Sequence, residues 1–296
     1  MFPPAEMYYG IRMGSPRVSD IVSICDSLWP PAYAEPWDSV GLAVGDPAAE
    51  VSHIHLALDP MDAVIAEAKD LGADFLFTHH PLLLRGITSV AADTLKGGAI
   101  TELIRSGIAQ YNAHTNADSL IGGVSDVLAE AIELTELTPL VQHSDAPAGV
   151  GLGRVGTLPA RMSVRELAAR LAKAAPVTAT GIRIAGDPEV EVERVAVLGG
   201  AGDSLFDEVR ATDAEVYITS DLRHHPATEA RDTAHRCAAG TPHLIDISHW
   251  AAESMWMSTA AEQLRERLSS GGMDVTVTVS EISTDPWTER IGQAGE

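Results

Sequence analysis

The sequence predicts an α/β protein made of two similar halves, and three patterns support this fold class. Residues 51–78 have the pattern of a strand, a helix and a second strand. Residues 192–219 align with them without a gap, 141 positions later. A further strand at 108–114 has a counterpart at 243–249, 135 positions later. Because both matches occur in the same order, duplication explains them better than the general likeness of βαβ units.

Apolar periodicity predicts the elements of the first half in order. The first helix covers 18–28, where Val18, Ile21 and Cys25 share one face. Residues 30–45 follow as a loop. The predicted segments of the rest of this half are strand 51–59, helix 61–71, strand 73–78, helix 95–106, strand 108–113 and helix 125–134.

The chain is therefore expected to divide into two repeats with a short connection. The predicted parts are an N-terminal extension at 1–14, a first repeat at 15–138, a linker at 139–153, a second repeat at 154–285 and a tail at 286–296. The linker is rich in Pro and Gly, which are typical of loops. A last strand at 274–282 fits the sheet of either half.

The charge balance excludes several classes of partner. The chain has 42 Asp and Glu against 20 Lys and Arg, so its formal net charge is −22. A surface this acidic repels the phosphates of nucleic acids and anionic membranes, and neither is an expected partner. No apolar run reaches the roughly 18 residues that span a bilayer, and the chain start does not resemble a signal peptide. Cys25 and Cys237 form no CxxC pattern, so we expect a reducing compartment and a cytoplasmic protein.

Two adjacent histidines, His79 and His80, follow the predicted strand 73–78. In open α/β sheets, polar side chains at the carboxyl ends of strands are held rigidly and face ligands. Side chains alternate along a strand, but Pro81 marks its end, so both rings can serve one site. The alternative is that one ring caps a strand carbonyl and the other is exposed.

Two further segments carry polar side chains suited to a ligand. His114 and Asp118 follow the buried strand 108–113, where unpaired polar groups are costly. Asp118 capping the next helix is the alternative there. His249 and Glu253 lie one helical turn apart, so both can reach one cation. For that pair, the alternative is a helix-surface contact without a ligand.

Taken together, these segments predict a metal site. They supply His79, His80, Asp118, His249 and Glu253, with His114 nearby. Five or six nitrogen and oxygen ligands exceed the needs of one tetrahedral zinc, whereas two divalent ions about 3.5–4 Å apart would use them all. The absence of thiolates leaves Zn, Mn, Fe, Co and Ni open.

Five motifs occur in order along the chain. They are Glu35-Pro-Trp37-Asp38-Ser-Val-Gly41-Leu42-Ala-Val-Gly45, Thr78-His79-His80-Pro81, His114-x-x-x-Asp118, Thr219-Ser-Asp221-Leu-Arg-His-His225 and His249-x-x-x-Glu253. With these motifs the sequence resembles the NIF-three-like dinuclear-metal-centre family, often labelled GTP cyclohydrolase 1 type 2 homologues. The resemblance covers residues 18–282. Ser39 departs from the Asn common in the family, and the domain that some members insert between the halves is absent.

The resemblance implies a fold, an assembly and a set of site residues. It implies two intertwined, duplicated α/β repeats with mixed sheets flanked by helices, assembled as a ring-shaped homohexamer whose metal sites face an internal cavity. His114 and His225 match polar positions that line the family's site, and they are the expected catalytic residues. The family's ligands for two divalent metal ions per subunit fall on His79, His80, Asp118, His249 and Glu253.

A site of this kind predicts a hydrolase. Two cations would lower the pKa of a bridging water, giving a hydroxide nucleophile, and would polarise a carbonyl, imine or phosphoryl oxygen of a small-molecule substrate. His114 or His225 would pass a proton to the leaving group. The family label makes GTP cyclohydrolase activity, on a nucleotide, the candidate. The alternative is a non-enzymatic metal-binding hexamer that acts as a metal chaperone or regulatory interaction protein.

A glycine-rich stretch at 199–203 is a candidate phosphate-binding loop, because glycines let backbone amides approach a phosphate at a helix N-terminus. It lacks a complete GxGxxG or P-loop pattern. In the family that the sequence resembles, this stretch is similar to the entrance of the second repeat's helix.

Overall fold

The computed structural model describes residues 15–237 and 239–292. It contains two main β-sheets and a short two-stranded ladder, with helices packed on the sheets. The predicted fold class, two intertwined α/β repeats with mixed sheets flanked by helices, is confirmed. The predicted extension at 1–14 lies outside the described residues, as do residues 293–296 at the end of the predicted tail.

The strands and helices have the following bounds. The strands are β1 (Gly41–Val44), β2 (His53–Ala57), β3 (Phe75–Thr78), β4 (Ala109–Asn112), β5 (Thr135–Thr138), β6 (Val141–Gln142), β7 (Gly151–Leu152), β8 (Arg154–Ser163), β9 (Ile182–Ala185), β10 (Glu191–Ala201), β11 (Val216–Ser220), β12 (His243–Ile247) and β13 (Thr276–Val279). The helices are α1 (Val18–Leu28), α2 (Asp62–Asp70), α3 (Leu95–Ser106), α4 (Thr115–Ser119), α5 (Val124–Ala131), α6 (Val164–Ala174), α7 (Phe206–Arg210), α8 (His224–Arg236), α9 (His249–Ser254) and α10 (Trp256–Ser270). None of these helices is both long and apolar enough to cross a membrane.

The first sheet is mixed. Within the described residues its strand order is β1-β4-β3-β2-β13. β2, β3 and β4 run parallel, as the βαβ pattern predicts, and β13 joins them in parallel beside β2. β1 closes the other edge antiparallel to β4. The last strand, which fitted either half by sequence, therefore belongs to the first sheet.

The structure places β1 and a short 3₁₀ helix in the segment 30–45, for which the sequence predicts a loop. Gly45 follows β1 with φ of 125°, a conformation that L side chains rarely adopt. A Cβ atom at Gly45 would lie 2.5 Å from the Cβ atom of Ala109 on β4. The edge strand thus depends on a close approach between distant segments, which apolar periodicity does not reveal.

The second sheet has the order β5-β8-β10-β11-β12-β9 over the residues that the structure describes. Its centre repeats the parallel arrangement of the first sheet with β10, β11 and β12. β8 and β9 flank this centre in antiparallel orientation, and β5 pairs with β8. The predicted linker at 139–153 contains the antiparallel ladder of β6 and β7.

The first two strands of each parallel centre follow the predicted repeat. Ile54 pairs with Phe75 between β2 and β3. The residues 141 positions later, Val195 and Val216, pair between β10 and β11. The gapless alignment of the two copies therefore matches the strand register.

The third strands correct the predicted alignment by one residue. Ala109 on β4 pairs with Phe75 on β3, and His243 on β12 pairs with Val216 on β11. Because Phe75 and Val216 are equivalent in the repeat, Ala109 and His243 are equivalent too, and they are 134 positions apart. Ser248, and not His249, therefore corresponds to His114. His114 and Ser248 are each the N-cap residue of the next helix, α4 and α9. The predicted match of His114 with His249 was wrong because packing of the third strand sets its register.

The last helix and strand tie the second half to the first. α10 packs against α1 and buries Trp256, Leu264 and Leu268 in a core shared with the first sheet. The ring of Trp256 lies 5.6 Å from that of Trp29, edge to face. Because α10 and β13 return to the first sheet, the two repeats are intertwined.

We expect Leu264→Ala to destabilise the whole protein, because this fully buried side chain lies in the core that joins the ends of the chain. Removing a buried leucine from a packed core costs about 2–5 kcal/mol of the free energy of unfolding. Urea denaturation followed by circular dichroism measures the change. The matched control is Glu266→Ala on the exposed face of the same helix, for which we expect a change below about 0.5 kcal/mol. Equal transitions for the two variants would contradict the shared core.

Candidate metal centre

Polar side chains from both halves meet where parallel strands end. The first half contributes the residues that follow β3 and β4, together with α4. The second half contributes α9, which follows β12. The predicted site residues that the structure brings together are His79, His80, His114, Asp118, His249 and Glu253.

His79 is fully buried at the centre of this cluster. Its Nδ1–H donates to the backbone carbonyl of Ala113 at 2.9 Å, so Nε2 faces the carboxylates. Nε2 lies 3.6 Å from Asp118 Oδ1 and 3.8 Å from Glu253 Oε1. These distances are too long for hydrogen bonds and leave room for an ion between the groups.

Glu253 joins the imidazoles of the two halves. Its Oε2 lies 2.8 Å from Nε2 of His80 and 3.0 Å from Nε2 of His249. The two Nε2 atoms are 3.3 Å apart. Three ligand atoms of suitable type therefore lie within reach of one cation, as the one-turn spacing of His249 and Glu253 predicts.

Three aspartates hold the remaining rings by their Nδ1 atoms. Asp59 Oδ1 accepts from His80 at 2.6 Å, Asp221 Oδ2 accepts from His249 at 2.7 Å, and Asp38 Oδ1 accepts from His114 at 2.9 Å. A carboxylate on one ring nitrogen sets the tautomer and aims the other nitrogen at the ligand. The Nε2 atoms are thereby left for the centre.

The sequence patterns predict no role for these aspartates, although their positions in the chain are distinctive. Asp59 and Asp221 follow β2 and β11 at the carboxyl ends of strands, and Asp38 lies in the first of the five motifs. Asp221 stands 141 positions after His80, at the equivalent place in the repeat. Asp38 also accepts hydrogen bonds from the backbone and hydroxyl of Thr115 at the start of α4.

Burial and nearby charges shift the pKa values of two imidazoles. Burial disfavours protonation of His80, but the carboxylates of Glu253 and Asp59 outweigh it and raise the pKa of His80 to about 10. Burial of His249 is likewise outweighed by Glu253 and Asp221, and the pKa of His249 rises to about 11. Without a metal, both rings are therefore protonated at neutral pH.

The two carboxylates of the cluster shift in opposite directions. Burial alone would raise the pKa of Glu253, but the imidazoles of His249, His80 and His79 hold it well below its usual value. Burial and the neighbouring Glu253 charge raise the pKa of Asp118 to about 7. Glu253 therefore carries a fixed negative charge, whereas Asp118 exchanges a proton near neutrality.

The residues present fit a metal ion. Among the described residues, His79 Nε2 and Asp118 Oδ1 are buried atoms without a hydrogen-bond partner, and each faces the other across the cluster. Buried polar atoms are nearly always paired, and a bound ion would supply the partner that these two atoms lack. Two overlapping groups, His79 with His80 and His114, and His80 with His249 and Glu253, each place their ligand atoms within 4.8 Å. Imidazole and carboxylate donors without thiolates suit Zn, Mn, Fe, Co and Ni.

Gly200 makes the position of Glu253 possible. The structure places residues 199–201 at the end of β10 and residues 202–205 in the turn that leads into α7. Gly200 has φ of 79°, and a Cβ atom there would lie 2.4 Å from Glu253 Oε1. The glycine leaves space for the buried carboxylate.

The two predicted catalytic histidines lie in different surroundings. The ring of His114 packs 5.2 Å from that of His79 and 5.6 Å from that of His80, so it belongs to the cluster. His225 is exposed on α8, where its ring contacts that of His224. The structure does not bring His225 to the other site residues, and its catalytic role stays a prediction.

A cavity of about 850 Å³ opens beside the cluster. His80 and His249 form part of its wall, and Arg183, Trp250 and Trp287 line other sides. This volume lies in the range of pockets that bind small molecules. A small molecule in the cavity would lie next to His80 and His249.

The fold and the cluster together define a class of protein: a duplicated α/β chain whose halves enclose imidazoles and carboxylates able to bind metal ions. The chain belongs to the Duf34/NIF3 (NGG1p interacting factor 3) family, whose sequence model matches residues 16–286. This confirms the resemblance found in the motifs.

Individual relatives agree with this assignment. A Streptomyces coelicolor protein named GTP cyclohydrolase 1 type 2 homolog is 51% identical over 280 residues, covering 94% of this chain and 96% of the relative. A protein of the same name from Mycobacterium tuberculosis is 35% identical, covering 92% of this chain and 97% of the relative. The crystal structure of Staphylococcus aureus hypothetical protein SA1388 matches with a TM-score of 0.84 at 26% identity, covering 93% of this chain and 99% of that one.

We expect metal binding to release protons and to strengthen as pH rises. His80 and His249 have raised pKa values, so both hold a proton that a metal ion must displace. The apparent Kd for Zn²⁺ should fall by up to about 10-fold per displaced proton for each pH unit between about pH 6 and 8. Calorimetric titration in buffers of different ionisation enthalpy counts the protons. Asp221→Asn removes a group that raises the pKa of His249, so the pH dependence of the Kd should level off at a lower pH in this variant. A pH-independent Kd for the unsubstituted protein would contradict the assignment.

Gly200→Ala should weaken metal binding, because the added methyl group displaces Glu253. We expect the Kd for Zn²⁺ to rise by at least about 10-fold, since metal ligands tolerate displacements of only about 0.5 Å. The control is Gly107→Ala, where φ is 70° but no atom of the described part of the chain lies within 4 Å of the new Cβ atom. It shares the backbone strain without the steric contact, so its Kd should equal that of the unsubstituted protein. Equal Kd values for both variants would refute the role of Gly200.

Proposed function

We propose that the protein is a dinuclear-metal-dependent hydrolase with GTP cyclohydrolase 1 type 2-like activity as the candidate reaction. The observation that carries the proposal is the convergence of imidazole Nε2 atoms and buried carboxylates beside a cavity large enough for a small molecule. Relatives named GTP cyclohydrolase 1 type 2 homolog support the candidate reaction.

In this proposal the cluster holds two divalent cations. Together they would activate a water molecule and polarise an oxygen of the substrate. His80 belongs to both overlapping groups of ligand atoms, so it would take part in holding either cation. The proposed ligands are His79, His80, Asp118, His249 and Glu253.

His114 is the proposed proton-transfer residue. Its Nδ1–H donates to Asp38, which leaves Nε2 to accept a proton and pass it to a leaving group. Despite its burial, Asp38 has a pKa held below its usual range by hydrogen bonds from His114 and Thr115. The carboxylate therefore stays ionised and stabilises the imidazolium that proton transfer produces.

We further propose that the protein assembles as a homohexamer, on the basis of the family resemblance. Large apolar side chains on the surface of the single chain support an assembly. Trp37 is 59% exposed and Ile121 is 69% exposed. Trp37 also contacts the ring of His114, so an interface that covered it would lie close to the site.

We expect Glu253→Gln to lose about half or more of the bound metal per subunit and about 100-fold or more of any turnover. Residues that support metal ligands commonly contribute 10–100-fold to metal affinity or activity, so a ligand itself should contribute at least as much. Metal analysis and a screen of GTP, other nucleotides, phosphoesters and cyclic amides with Mn²⁺- and Zn²⁺-loaded protein test this. Glu262→Gln, on the exposed surface of α10, is the control.

The outcomes separate the two functions that the sequence allows. Unchanged metal content in Glu253→Gln would contradict the ligand assignment. If the unsubstituted protein binds its full complement of metal but turns over none of the substrates, the result would favour the non-enzymatic alternative, a metal chaperone or regulatory interaction protein.

A further inference from the structure

The chain passes the candidate metal centre again after its last strand. Residues 280–292 follow β13 without forming a helix or a strand. Seven residues of the segment 284–291 line the cavity beside His80 and His249. Thr284 and Asp285 in this segment are half-buried. Both contact residues that support the metal-facing side chains.

Thr284 acts on the first half through Asp59. Its hydroxyl donates to Asp59 Oδ2, while Asp59 Oδ1 accepts from Nδ1 of His80 at 2.6 Å. Both oxygens of this carboxylate are therefore engaged, one by the C-terminal segment and one by a metal-facing imidazole. Loss of the Thr284 hydrogen bond would remove one of these two contacts of the carboxylate.

Asp285 acts on the second half through Ser248. The Ser248 hydroxyl donates to Asp285 Oδ2 and accepts from the backbone N–H of Ala251 at 3.3 Å. Ser248 is thereby the N-cap of α9, which carries His249 and Glu253. Asp285 Oδ1 accepts from the backbone N–H of Trp287 at 2.9 Å, which orders the segment itself.

We propose that Thr284 and Asp285 are positioning residues that fix the imidazole of His80 relative to that of His249. The two Nε2 atoms are 3.3 Å apart although the rings belong to different halves. Metal sites require their ligands within about 0.5 Å of the productive geometry. Two adjacent residues on one segment, each bound to one half, restrict the displacement of the halves at the site. This inference rests on the metal centre of the proposed function.

The first test compares variants at Thr284. Thr284→Val keeps the shape of the side chain but removes the donated hydrogen bond. We expect the Kd for Co²⁺ to rise by about 3–10-fold, and the visible absorption bands of the bound Co²⁺ to shift as the ligand geometry relaxes. Thr284→Ser keeps the hydroxyl and should restore both values. The control Thr276→Val, at an exposed position of β13, should leave both unchanged.

The second test separates positioning from simple anchoring of the segment. In an Asp59→Ala background, Thr284→Val should have no further effect on the Co²⁺ Kd, because the carboxylate that links Thr284 to His80 is gone. Simple anchoring instead predicts the same increase in both backgrounds. Asp285→Ala should also raise the Kd, whereas Asp274→Ala, at an exposed position before β13, should not.

The outcomes distinguish this inference from the metal centre itself. Equal Kd values and spectra for Thr284→Val and Thr276→Val would overturn the positioning role, as would an equal increase in the Asp59→Ala background. Failure of the unsubstituted protein to bind Co²⁺ would overturn the metal centre and this inference with it.

Discussion

The burial of Glu253 is the constraint on which the arrangement of the two halves depends. Its side chain is 3% exposed, and a buried carboxylate without cationic partners costs several kcal/mol. One partner, His249, lies one turn earlier on the same helix, but the other, His80, comes from the first half. His249 compensates part of the charge within the second half, whereas the contact with His80 forms only when the halves are docked. The return of α10 and β13 to the first sheet keeps them docked.

The two copies of the repeated unit contribute unlike residues to one site. At the offset of 141, His80 corresponds to Asp221 and Asp59 corresponds to Gly200. In the first copy, His80 faces the centre and Asp59 supports it. In the second copy, Asp221 supports His249, and Gly200 leaves space for the buried carboxylate. Each of these four positions therefore has one of three roles: its side chain faces the centre, supports a side chain that does, or leaves space for one. The two copies together form a composite site.

Local patterns predicted much of the fold and most of the centre-facing residues, whereas features set by distant contacts were missed. The helix at 18–28 and the parallel strands show their periods within single segments, and both were found. β1 depends on the fit of Gly45 against a strand more than sixty residues away, and no local period shows it. The ligand candidates His79 and His249 were visible because polar residues at strand ends and helix starts need partners. The partnership of Asp221 with His249 was not visible, because only the packed structure brings them together.

The aspartates that orient the rings also determine the charge of the centre. Hydrogen bonding from His249 lowers the pKa of Asp221, and His80 lowers that of Asp59 despite its burial, so both remain ionised. Their negative charge is balanced in the metal-free protein by protons on the two imidazoles. A dication that enters the cluster therefore replaces those protons and meets carboxylates that are already charged and fixed in place. The same two aspartates therefore orient the rings and attract a cation. A substitution that removes either aspartate changes both the ring orientation and the charge of the centre.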